Sequence, residues 1–477
     1  MRKGQDYIDS LRRLKSQVYV QGERVTNLAE TPFFQSTIEA WGRWLCDAAF
    51  EPHLRQLMTA KSDLTGEDVH VFWHIPANAA DLIQNFEAAI KLSERIPVTG
   101  YTSIARDELA GLLSVLPEVD RKYETNYTAR LKNYLRDFQR RQPIGSAAIT
   151  DVKGDRNLRP AEQSDPDMYL HVVERRSDGI VVRGAKMHTS GGVVAEELVV
   201  IAQRAMREQD RDYAVAFAIP TDTPGIKLVA RGIGMPPDPV EAPLSHSGAL
   251  VESLTIFDDV FVPQERIFLC GEAEFCGDIA NNFATVNRHG YLGTDYGKLE
   301  LFIGAAALIA EYNGVADKQH IRDKIVEMIK MASAIYALGV AAAVKHHVTN
   351  GVAFSDPVMT NAGKHFTMEA HYLCARLLHE IAGGATVTMP SMKDLRNPEI
   401  APYVEKYFKA APGVPVMDRV KLFNFIGDLC SSEYAGWWYS EIIHGSGSPA
   451  AERLQMHREF DLESTKRLVK ALINIPN

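Results

Sequence analysis

The chain is predicted to be an α+β protein with an N-terminal helical domain, a central β domain and a C-terminal helical bundle, divided as residues 1–145, 146–277 and 278–477. Three observations predict that order. Apolar residues recur at spacings of three and four before Gly145 and again after Asp278, the period of an amphipathic helix. Between those regions they alternate or form short β-branched blocks, as strands do. The step Ser177-Asp178-Gly179 sits between two such blocks, and a DG pair there is a strong hairpin signal.

The elements follow from the same reasoning. Residues 35–50, 78–95 and 107–116 carry the helical period, Pro52, Pro76 and Pro97 punctuate it, and a charged, aromatic helical run covers 119–141 until Pro143-Ile144-Gly145 stops it. Strands are expected at 169–174, 180–186, 197–201, 213–219, 226–229 and 254–262. Long helices with Ala-rich and Leu-rich faces are expected at 299–312, 321–348, 359–381 and 418–433, with 398–415 irregular. No internal repeat or low-complexity segment is visible.

Composition narrows the partners. The chain of 477 residues is 46% hydrophobic and 24% charged, with a formal net charge of −9 and no basic tract, so nucleic acid is not expected. Residues 1–20 are charged throughout, unlike a signal peptide, and no segment reaches the roughly 18 uninterrupted apolar residues of a membrane span. A cytoplasmic protein without membrane contact is the expectation. Cys46, Cys270, Cys276, Cys374 and Cys430 contain no CxxC pair and read as reduced thiols rather than a disulfide framework or a metal site.

Three loops have the character of a ligand site. Asp151-Val-Lys-Gly-Asp-Arg156 offers Lys153, Asp155 and Arg156, which can bind phosphate or merely pair with one another. Val181 to Gly192 runs from a strand into His188-Thr189-Ser190, whose imidazole, hydroxyls and amides suit a heteroaromatic ring edge or a well-capped turn. His444-Gly-Ser-Gly-Ser-Pro449 repeats that small, hydroxyl-rich pattern. Glu252 and Glu441 stand among apolar and aromatic neighbours, where a carboxyl pKa rises toward the range of a general acid or base; an Arg-paired structural carboxylate is the alternative. Asn287 to Lys298 contains His289, Tyr291, Asp295 and Tyr296, candidates for substrate contact or helix capping, with Gly290, Gly293 and Gly297 marking close backbone approach or a kinked helix start.

Residues 150–156, 162–174 and 178–186, with Ile303-Gly-Ala-Ala-Ala-Leu308, 382–391 and 444–449, closely resemble the 4-hydroxybutyryl-CoA dehydratase branch of the 4-hydroxyphenylacetate 3-monooxygenase flavoprotein family, over nearly the whole chain. The resemblance implies an acyl-CoA dehydrogenase-like fold with a central β-barrel, and FAD, arriving as FADH2 in some members, held by Lys153, Asp155, Arg156, His188, Thr189, Ser190, His444, Gly445, Ser446 and Gly447. It also implies a homotetramer. The dehydratase residues that work beside an iron-sulfur cluster match Glu252, Glu441 and Tyr291, the expected catalytic set. The cluster's ligand positions match Tyr101, Ala105, Asn287 and Thr294, and the Lys after the last becomes Asp295, so no iron-sulfur cluster is expected. The monooxygenase substrate-site Arg, Tyr and His fall near Tyr101, Ala105 and Ala147. Substrate contacts are expected from Tyr101, Asn287, His289, Asp295 and Tyr296. The leading expectation is a two-component flavin monooxygenase acting on a small phenolic or acyl-type substrate, with a separate reductase because no GxGxxG unit follows a strand. A cluster-free dehydratase or isomerase of acyl-CoA substrates and a non-catalytic flavin-binding scaffold are the alternatives.

Overall fold

Asn78 accepts the Asp81 backbone N–H at 3.1 Å and so starts helix Ala79–Ser93, in the computed structural model, which describes residues 1–95, 104–231, 238–247 and 251–476. The predicted helical run 119–141 is two helices, Ile104–Tyr123 and Tyr127–Arg141. The break is built by Asp120, whose carboxylate accepts from Thr125 Oγ1 and from the backbone N–H groups of Tyr127 and Thr128, while Glu124 turns the chain at φ +53°. Residues 35–50 change pitch within one apolar stretch, from helix Pro32–Glu39 to a π-helical segment Ala40–Cys46 and a 3-10 turn Asp47–Phe50.

The β layer contains two sheets. One orders its strands Glu23–Arg24, Gln17–Val20, Ile226–Arg231, Glu252–Pro263, Gly179–Lys186 and His171–Arg175; the other orders Ile267–Cys270, Val215–Pro220, Glu197–Val200 and Gly145–Ala148. The DG hairpin forms as predicted, with the Arg176 N–H donating to Gly179 O at 2.9 Å. Phe217 and Phe257 meet edge to face at 6.1 Å and join the two sheets through the core. The expected closed barrel is corrected: among the described residues no ladder joins the first strand of either sheet to its last. The six-stranded sheet ends in Glu23–Arg24 on one side and Glu174-Arg175 on the other, charged edges that do not extend a ladder. Strand Gln17–Val20, parallel to Ile226–Arg231, comes from the region expected to be helical; a four-residue strand paired across more than 200 residues leaves no local signal.

The second helical region begins with Cys276–Tyr312, a 37-residue helix that runs straight through the glycine cluster expected to precede it. Those glycines serve close approach: a Cβ at Gly297 would collide with Ser93 Oγ, and one at Gly293 would meet the Phe86 carbonyl oxygen at 2.5 Å. This helix packs on Ala79–Ser93, Ile104–Tyr123, Gln319–Val344 and Pro357–Ala382. Gln319–Val344 is long and apolar enough by composition to cross a membrane, but here it is packed in the bundle. Helices Val416–Ser431 and Glu433–His444 then carry the chain to the last predicted loop.

Candidate active site

Strand Gly179–Lys186 ends in a buried ammonium: Lys186 Nζ donates to Asp151 Oδ1 at 2.5 Å and to the carbonyls of Ile149 and Ile201, both at 3.0 Å. That pairing roots the Asp151–Arg156 loop beside the strand's exit. The chain then turns at His188, φ +53°, and at Gly191, φ +68°, where any Cβ would collide with the Trp41 ring. Between these turns two neighbouring hydroxyls diverge. Thr189 is fully buried: its Oγ1 accepts from Thr255 Oγ1 at 2.8 Å, its N–H donates to Ser253 O and its carbonyl accepts from Ser253 Oγ. Ser190 points the other way and donates to the Glu252 carboxylate at 2.9 Å.

The opposing wall is one face of the long helix. Tyr291, Asp295 and Lys298, four and then three residues apart, align on it. The Tyr291 hydroxyl donates to Glu441 Oε1, and the second Glu441 oxygen is buried without a hydrogen-bond partner. Lys364 Nζ lies 5.3 Å from the Tyr291 ring centroid and donates to Ile442 O. The buried Lys298 amine has no hydrogen-bond partner and sits over the Trp438 ring, 2.8 Å from its centroid.

Burial dominates the electrostatics. It raises the Glu252 carboxyl to about 8, helped by repulsion from Glu441 and opposed by the Ser190 hydrogen bond. It raises Asp295 to about 7 against the pull of Lys364 and Lys298, and it raises Glu441 against Tyr291, Lys298 and Lys364. Burial holds the Lys298 amine well below the usual lysine range, favouring its neutral form. The cluster is thus a set of acids that are reluctant to ionise and that influence one another's titration.

The three predicted loops converge on this cluster. Burial, Lys153 and then His444 depress the His188 imidazole, so one side chain senses the other two loops. Lys153 donates to Gln203 at 3.0 Å; burial lowers its pKa, the Asp151 carboxylate opposes that, and Arg156, Lys186 and Arg204 add to it, a cationic cluster suited to phosphate. A Cβ at Gly445 would collide with both Glu441 Oε1 and the Tyr291 hydroxyl, so the backbone there lies directly on the acid pair. Gly447, at φ +123°, is pressed against the Arg288 guanidinium.

Several sequence expectations are redirected. Thr189 has its hydroxyl and amide committed inside the sheet and supports the turn instead of facing the cleft. Asp155 is exposed and accepts the Asn157 N–H at 2.9 Å, so its carboxylate shapes its own loop. His289 and Tyr296 share the opposite helix face from Tyr291: His289 Nε2 pairs with Gly339 O at 2.9 Å, and Tyr296 packs on Tyr336. Helical phase separates them from the acids. The Asn287 amide donates to Asp107 and accepts from Ser446, so its hydrogen bonds tie together parts of the chain itself. Tyr101 lies outside the described residues. Lys298, Lys364, Asp107 and Arg288 went unselected, because a charged residue on a helix reads in sequence as a solvated face.

Against known proteins, residues 3–269 match the family described as 4-hydroxyphenylacetate 3-hydroxylase N terminal, and residues 276–474 match its C terminal part. The chain belongs to this family. It is 34% identical to 4-hydroxybutyryl-CoA dehydratase/vinylacetyl-CoA-Δ-isomerase of Clostridium aminobutyricum, over 99% of each protein. It is 26% identical to the oxygenase component of 4-hydroxyphenylacetate 3-monooxygenase of Thermus thermophilus, over 99% of this chain and 97% of that one. Among solved structures it resembles an oxygen-tolerant archaeal 4-hydroxybutyryl-CoA dehydratase from N. maritimus, with TM-score 0.95 and 33% identity, covering 100% of this chain and 95% of the other. It also resembles an oxygenase component of 4-hydroxyphenylacetate 3-monooxygenase complexed with FAD and 4-hydroxyphenylacetate, with TM-score 0.90 and 25% identity, covering 99% and 98%.

Proposed function

We propose that this family member is an FAD-dependent oxidoreductase, a two-component flavin monooxygenase that hydroxylates a small phenolic or acyl-type substrate with reduced flavin and oxygen. The observation that carries the reading is the convergence of three loops, at Lys153, His188 and His444, on the Glu252, Glu441 and Tyr291 acids. Relatives named as oxygenase components, and one solved with FAD and 4-hydroxyphenylacetate, support it.

The residues present fit a flavin. Lys153 and Arg156 would hold its phosphates, His188 and Ser190 would face the ring, and the glycine-lined loop 444–447 allows close approach. Reduced FAD, when bound, supplies the electrons that activate oxygen. Glu252, at about 8, is matched to take the proton of a substrate hydroxyl at mildly alkaline pH, and Ser190 aims it. Tyr291 and Glu441 hold a second proton in their hydrogen bond, and the covering loop keeps water from it. An acyl-CoA dehydrogenase-like arrangement, a homotetramer, a separate flavin reductase and a cytoplasmic location complete the reading.

A second reading is favoured by one observation: two carboxyls coupled across the cleft can move a proton between carbons of an acyl thioester without any oxidant, as an isomerase would require. The 34% identical dehydratase/isomerase points the same way. Ala105, Asn287 and Thr294 stand where the resemblance puts cluster ligands and provide neither thiolate nor imidazole, so no step is derived through a cluster. The test adds FAD, then a flavin reductase with NADH, and measures product from 4-hydroxyphenylacetate and 4-nitrophenol in air, and from vinylacetyl-CoA and 4-hydroxybutyryl-CoA without it. Oxygen-dependent hydroxylation is expected. Anaerobic conversion of a thioester alone would replace the first reading with the second.

A further inference from the structure

The apex of the loop over the acid pair is strained. Ser446 has φ +61°, a left-handed conformation that a residue with a side chain adopts at a cost, and it is flanked by Gly445 and Gly447. Two anchors from the long helix hold it: Ser446 Oγ donates to Asn287 Oδ1 at 2.5 Å, and Arg288 Nε donates to Ser446 O at 2.8 Å. Arg288 is itself locked by Asn361 at 2.6 Å and Gln455 at 2.7 Å.

Asn287 carries the restraint further. Its Nδ2 donates to Asp107 Oδ2 at 2.9 Å, Asp107 pairs with Arg106 at 2.8 Å, and Arg106 Nη1 donates to His74 O at 3.0 Å. Asn287, Asp107 and Arg106 are buried, so water competes poorly for these bonds. With a carboxylate on one end and a hydroxyl on the other, the amide has one orientation that satisfies both of its ends.

We propose that Asn287 is a positioning residue: it straps the Gly445–Gly447 loop to helix Ile104–Tyr123 and holds it in the conformation that covers Glu441 and Tyr291. The strap is a property of the chain itself; its consequence for FAD rests on the function proposed above. A position that the resemblance assigns to a cluster ligand thereby has a different task, ordering the loop by hydrogen bonds.

The test is hydrogen exchange by mass spectrometry on the intact chain, following peptides across 441–448, in wild type, Ser446→Ala, Asn287→Ala and the double variant, with FAD affinity read by fluorescence quenching. Each single change is expected to speed exchange in that loop about tenfold, with strand Val215–Pro220 unaffected. The double variant is expected to match Asn287→Ala, because Asn287→Ala already deletes the bond that Ser446→Ala removes. FAD affinity should weaken about tenfold in parallel, 1.4 kcal/mol per decade. Loop exchange unchanged in both single variants, or multiplied in the double, would overturn the strap. If wild type binds no FAD, the cofactor reading fails while the exchange result still decides the strap.

Discussion

The two walls of the cleft are made of similar residues and treat their polar groups in opposite ways. On the β side most groups are committed: Lys186 has three partners, Thr189 bonds Thr255 and Ser253, and Ser190 donates to Glu252 on the same sheet. On the helical side, among the described residues, Glu441 keeps one oxygen without a hydrogen-bond partner and the Lys298 amine has none. A satisfied buried network gives rigidity, whereas unsatisfied buried polar groups cost stability and persist where chemistry needs them. The β wall is therefore mainly a platform, which also presents the base Glu252 aimed by Ser190, and the helical wall carries the unsatisfied groups.

The sharpest way to break that contrast is Glu441→Gln. It should lower turnover by about 10²–10⁴-fold, the usual yield of general acid–base catalysis, while leaving the melting temperature near wild type; steady-state kinetics on the substrate identified above measures it. Lys186→Met should do the reverse. Stranding Asp151 in the core should cost about 3–5 kcal/mol, read by urea unfolding.

Two smaller effects refine the comparison. Glu252 has a folded-state pKa near 8 against an ordinary value of 4.5, so the folded state binds its proton more tightly than the unfolded chain does. Its stabilising contribution is full below about 4.5 and is lost as pH rises through about 8. Melting temperatures from pH 5 to 9 should therefore decline less in Glu252→Gln than in wild type. Thr189→Val, which removes the acceptor of the buried Thr255 hydroxyl, should cost about 1–3 kcal/mol by the same unfolding assay with little change in FAD binding. Were Thr189→Val to abolish FAD binding without loss of stability, the β wall would not be a platform.

The elements were largely legible. Strands 180–186 and 197–201 declare themselves by β-branched blocks, and the helix at 78–95 by its period. The lack of closure of the two sheets was not, since closure depends on which edges meet and no local pattern records that. Within the site, the three loops stood out because small, polar and glycine-rich segments interrupt regular elements. His289 and Tyr296 were drawn in with Tyr291 by proximity in sequence, whereas the helix turns them about half a revolution away. Lys298 and Lys364 stayed hidden because a lysine in a helical pattern carries no mark of burial.

By itself, the sequence determined the helix, strand and helix order, the residues available for proton transfer and the absence of thiolate and imidazole from the four positions where the resemblance places cluster ligands. These depend on local periodicity and on chemical identity, which a linear chain carries in full. Only the tertiary structure decided that Ser190 meets Glu252, that Tyr291 meets Glu441 and that Asn287 spans Asp107 and Ser446. Such pairs join residues 62 to 180 positions apart, and their partners are selected by packing of whole elements rather than by any neighbouring residue.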